Sequence, residues 1–131
     1  MSAYNSVYDS VFNAVLDMIE SETGLKVLQG AMPPDESISA AIATSTVDQF
    51  FSKSSETSIT LVINAKSADA EKASDWLGQI HTVLIRAKEY PDVDAFQICN
   101  ISSAGVPQYL SREENSQHLF VSQVTVTFYE R

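Results

Sequence analysis

The stretch "SITLVINAKSADAEKASDWLGQIHTVLIRAK", residues 58–88, changes its period partway along. In the first part Ile59, Leu61, Ile63 and Ala65 alternate with Thr60, Val62 and Asn64, the two-residue repeat of a strand with two different faces. Further on, Ala73, Trp76, Leu77, Ile80, Leu84 and Ala87 recur at helical spacing. Ser67 and Asp69 are both suited to cap that helix, and Pro91 predicts its end near Tyr90. Asp69 and Glu71 in the first turn and Arg86 and Lys88 in the last complement the helix dipole. A central strand therefore runs straight into an amphipathic helix.

Working outward, residues 4–19 place Tyr4, Val7, Tyr8, Val11, Phe12, Val15, Leu16 and Ile19 on one helical stripe. Ser2 is available as N-cap, and Gly24 stands where a helix-ending glycine belongs. "LKVLQ" (25–29) is short enough for an edge strand, and the prolines of "GAMPPD" (30–35) end it. "SISAAIATST" (37–46) resumes strand alternation at Ile38, Ala40 and Ile42, followed by an aromatic step and a serine-rich turn in "VDQFFSKSSETS" (47–58). Two more strands are expected, "AFQICNIS" (95–102) and "HLFVSQVTVTFYE" (118–130), joined by "SAGVPQYLSREENSQ" (103–117). With strands gathered after each helix, the fold expected is α+β, a small mostly antiparallel sheet with two main helices packed on one face. Hairpins are expected at 42–60 and 98–120, and the 131 residues make one domain, 1–131.

The sheet's second face is the informative one. In the last strand Phe120, Val124, Val126 and Phe128 line one side with Ser122 as a gap, while Leu119, Val121, Thr125, Thr127 and Tyr129 line the other. A face left only to water is usually more polar. Phe50 and Phe51, adjacent in an extended segment, point to opposite faces and need cover on both. Phe50, Phe51, Val121, Thr125, Thr127 and Tyr129 are accordingly the candidate subunit interface.

Composition narrows function mostly by exclusion. The net charge is -9 with no basic stripe, which argues against a phosphate-gripping nucleic-acid binder. The lone Cys99 argues against a disulfide framework or a zinc site. No basic leader or long apolar run suggests export or membrane insertion. A thiol hydrolase would need Cys99 with His81 or His118, but Cys99 lies in a strand-like run without a nucleophile elbow. The four glycines are isolated, the two histidines are far apart, and the acids form no calcium loop, so no enzyme activity, cofactor or metal is expected. Glu113 and Glu114, beside Arg112, form the candidate exposed acidic loop.

Taken in order, "YNSVYDSVFNAVLDMIESETG", "SISAAIATST", "DQFFSKSSETS", "ITLVINAKS", "DAEKASDWLGQIHTVLIRAK", "AFQICNIS" and "HLFVSQVTVTFYE" resemble the bacteriophage minor capsid and tail-terminator (tail-completion) proteins. The likeness spans nearly the whole chain and is densest over residues 48–87. It implies a non-enzymatic virion protein of a long-tailed phage or prophage, assembled in the bacterial host cytoplasm. It further implies a homo-hexameric ring at the head-proximal end of the tail, which stops tube growth and contacts tail-tube and head-connector proteins. DNA would pass through that ring without specific binding. The alternative is a small intracellular α+β adaptor module that uses the same sheet for a different protein partner.

Overall fold

The computed structural model describes residues 3–30, 35–49, 55–93, 96–113 and 116–130, with the side chains of 3–7, 44–49, 55, 92 and 130 left aside. Helix α1 (Ala3–Thr23) leads through β1 (Leu28–Gln29) into the hairpin of β2 (Ser37–Gln49) and β3 (Ser55–Ser67). Helix α2 (Ala70–Ile85) follows, then β4 (Asp92–Val93), β5 (Phe96–Arg112) and β6 (His118–Glu130). The strands form one six-stranded sheet in the order β1-β2-β3-β6-β5-β4, antiparallel throughout except for the β1/β2 pair. The α+β architecture and both hairpins match the sequence expectation.

Strand alternation decides the core. Ile59, Leu61, Ile63 and Ala65 of β3 and Val124, Val126 and Phe128 of β6 are buried with Ile38 and Ala40 of β2 and Ile98 and Ile101 of β5. Onto this face α1 sets Val11, Phe12, Val15 and Ile19, and α2 sets Ala73, Leu77, Ile80 and Leu84. Both helices therefore cover the same side of the sheet. Phe128 anchors the layer, with the rings of Tyr8 and Phe96 meeting it edge to face at 6.4 and 5.9 Å.

Local chemistry explains the boundaries. Gly24 takes a left-handed φ of 75° and donates its N–H to the Glu20 carbonyl at 2.8 Å, ending α1 as its position suggested. Asp69 is the N-cap of α2, its carboxylate accepting from the N–H groups of Glu71 and Lys72. Ser67 supports that cap: its hydroxyl accepts from the Asp69 N–H and donates to Glu36. Lys72 bonds the same Glu36 at 2.8 Å, and these two contacts, Lys72 first, hold the Glu36 carboxyl below its ordinary range.

Two expectations need correction. Helix α2 stops at Ile85 with Arg86 as C-cap, short of Tyr90, and its last turn carries no basic residue. The physical reason is reach: residues 86–91 must carry the chain back to the sheet so that Val93, buried, can pair beside Phe96. The expected connection 103–117 is mostly strand, because β5 continues through Gly105 and Pro107 to Arg112. It does so as a bulged edge strand, the position in a sheet that tolerates proline.

Candidate functional site

The last strand is not an edge. β6 is paired on both sides, with β3 from Glu56↔Tyr129 to Ser67↔His118 without a register shift, and with β5 along its whole length. Its outward row, Leu119, Val121, Thr125, Thr127 and Tyr129, lies on the sheet face opposite the helices, each residue half-buried. The sequence-derived interface residues Val121, Thr125, Thr127 and Tyr129 are thus brought together on one face, while Phe50 and Phe51 lie outside the described residues.

Cross-strand hydroxyls organise that face. Ser58 and Thr127 share a hydrogen bond at 3.0 Å, and Thr60 and Thr125 share one at 3.3 Å. Beside them Val62 faces Gln123 and Asn64 faces Val121. Between Glu56 and Lys66 the outward side of β3 is therefore uncharged, polar through Asn64 and through hydroxyls that already bond across the strands. Such a surface can be covered by protein without stranding a charge.

At the Lys66 end of this face the charge is paired. Lys66 is only 4% exposed, and its ammonium lies 3.4 Å from the Glu113 carboxylate. Glu113 thus serves as a counter-ion for a buried cation, and Glu114 lies outside the described residues. Helix α1 shows the opposite surface chemistry: Asp9, Asp17, Glu20 and Glu22 with no Lys or Arg. An open acidic groove between the helices includes Glu22, Asp75, Gly78, Thr82 and Val83.

The residues weighed for catalysis do not converge. Cys99 sits on β5 with its thiol 3.4 Å from the Thr127 carbonyl, and desolvation, with Glu56 as the lesser cause, raises its pKa. A nucleophilic thiol needs the opposite shift. His81 is 4% exposed and bonds the Ser103 hydroxyl through Nε2 at 3.0 Å, while its buried Nδ1 has no partner among the described residues. Burial lowers its pKa. A serine-histidine pair without an orienting acceptor on the second ring nitrogen lacks the arrangement that activates a nucleophile. His118 bonds the Tyr109 hydroxyl at 3.2 Å. Among the described residues no three His, Cys, Asp or Glu side chains gather as metal ligands, and no helix is long and apolar enough to cross a membrane.

Sequence reasoning missed the outer edge of the sheet. β5 uses 17 residues where β6 uses 13, and its register shifts four times, around Cys99, Ala104, Val106-Pro107 and Leu110. Val106, Tyr109 and Leu110 are 59, 52 and 58% exposed. Tyr109 stacks edge to face on Phe120 at 5.3 Å. The signal available in the sequence was the unbroken run from Phe96 to Ser111 without a single charge.

No protein family matches the sequence, and no curated protein matches it. The fold, however, is shared with solved structures. A chain described as "Virion of native gene transfer agent (GTA) particle" superposes with a TM-score of 0.67 at 14% identity, covering 95% of this chain and 98% of that one. A second solved chain superposes with a TM-score of 0.51 at 12% identity, covering 99% of this chain and 97% of the other. At these identities the likeness is one of fold, and it extends over the full length of the chain.

Proposed function

We propose that this chain is a structural protein of a phage-like virion, forming a ring at the head-proximal end of the tail that terminates tail-tube growth and joins tail to head. The observation that carries the reading is the end-to-end fold match to a gene transfer agent virion chain, 95% of one and 98% of the other. The layout resemblance to tail-terminator proteins is independent of that superposition and supports the same reading. The sheet face opposite the helices, uncharged along β3 between Glu56 and Lys66, supports a role in assembly, and among the described residues no side-chain constellation favours catalysis over it.

Ring closure requires each copy to offer one patch and receive another. In this reading Val121, Thr125, Thr127 and Tyr129 belong to the receiving surface, and the partners are other copies of the chain, the tail tube and the head connector. DNA passes through the opening without specific contacts, as the acidic balance favours. Deletion of the gene tests this: heads without attached tails, together with tail tubes of uncontrolled length in electron micrographs, are the expected outcome. Normal particles lacking the protein would contradict it.

A further inference from the structure

We propose that the bulged outer edge of β5 is the donor patch of a head-to-tail contact, and that it docks onto the outward sheet face of a second copy of this chain. The inference rests on the ring reading above and adds to it which surfaces meet. Bulges re-aim side chains that a regular ladder would hold in alternation. The residues in excess over β6 are Cys99, Ala104, one of Val106 and Pro107, and Leu110, every one of them without charge. Cys99, Ala104, Val106 and Leu110 are all exposed. Among the described residues no strand pairs with this edge beyond Gln97.

The contact works through side chains. Pro107 has no N–H, and four register shifts interrupt the row of outward backbone groups, so a further strand cannot add in a continuous ladder. What the edge offers is exposed apolar surface at Val106 and Leu110 beside Tyr109, an aromatic type favoured at interface centres.

Charge selects the occupant. Two copies each of net charge -9 repel wherever their acidic surfaces meet, and helix α1, with four acids and no base, is disfavoured as a self-contact. A cationic partner would be drawn to those acids and gain nothing at β5. Among the described residues, the β5 edge from Phe96 to Ser111 and the outward face around Val62, Val121, Gln123 and Thr125 are both extended and charge-free. They are different patches, as a ring-forming contact demands.

The test uses two variants of the full chain and light scattering after size exclusion. The donor variant is Val106→Glu with Leu110→Glu; the receiver variant is Gln123→Glu with Thr125→Glu, or Gln123→Glu alone if the double variant loses its circular dichroism spectrum. Expected results are an assembly for the wild type, the 14.4 kDa monomer for each variant alone, and pairs of twice that mass when the two variants are mixed. Mixing restores one competent donor and one competent receiver per pair, which no symmetric contact does. A wild type that is monomeric at every concentration, a donor variant that keeps the wild-type mass, or a mixture that stays monomeric overturns the proposal. Antibody labelling of purified particles separates that failure from failure of the ring reading: label at the head-tail junction with a failed mixing test removes only the β5 contact.

Discussion

β5 and β6 pair along their whole length, yet they are built for different work. β6 alternates without interruption against β3, buries Val124, Val126 and Phe128 under the helices, and turns a row of hydroxyls and half-buried apolar side chains outward. β5 spends four extra residues over the same span and leaves Val106, Tyr109 and Leu110 exposed. A strand flanked on both sides is held to one register by everything packed on it. A strand flanked on one side can bulge, and its exposed apolar residues then contribute little to the stability of their own chain. The difference separates residues kept for folding from residues free to serve an interface.

Substitutions can break or sharpen that contrast. The largest effect is expected for Phe128→Ala in β6, which empties the centre of the Tyr8-Phe96-Phe128 cluster and costs about 3 to 5 kcal/mol in urea unfolding. Glu113→Gln, just past the end of β5, leaves the buried Lys66 ammonium without its counter-charge. The expected loss is about 1 to 2 kcal/mol, below the range for fully buried pairs because the carboxylate is partly solvated.

His81, whose ring reaches from α2 to Ser103 of β5, gives a pH dependence. Its pKa is lowered in the folded chain, so below the ordinary histidine value of 6.5 the unfolded state binds more protons than the folded state. Stability should therefore fall as pH drops through 6.5 toward the lowered folded value, and the slope should flatten in His81→Leu. Urea titrations kept above pH 5 stay clear of Glu36, whose carboxyl Lys72 first and Ser67 second hold below the ordinary carboxylate range. The smallest effect belongs to β5 itself: Leu110→Ala, more than half exposed, should change stability by no more than about 0.5 kcal/mol while weakening self-association. A loss comparable with that of Phe128→Ala would mean that the edge is part of the core after all.

The contrast also explains what the sequence disclosed. β3, β6 and both helices are covered on one side and carry the clean periods of 2 and 3.6 that mark such burial. The outward face of β6 was legible for the same reason, since Val121, Thr125, Thr127 and Tyr129 must lie opposite Val124, Val126 and Phe128. β5 was legible only from Phe96 to Ser102, because each later bulge resets the alternation and Gly105 and Pro107 imitate a loop. Glu113 looked like a free loop acid because its partner Lys66 is 47 residues away in sequence. The end of α2 was set by the distance back to β4, a tertiary demand invisible to capping rules.

Amide hydrogen exchange on dilute and concentrated protein compares the two strands in one experiment. The interior amides of β6 should be protected at both concentrations. The amides of residues 99–111 that β6 does not take should exchange rapidly when the protein is dilute and slow down when it is concentrated. If the β5 amides exchange at the same rate in both samples, while protection is gained along α1 or nowhere, the edge is not where copies of this chain meet.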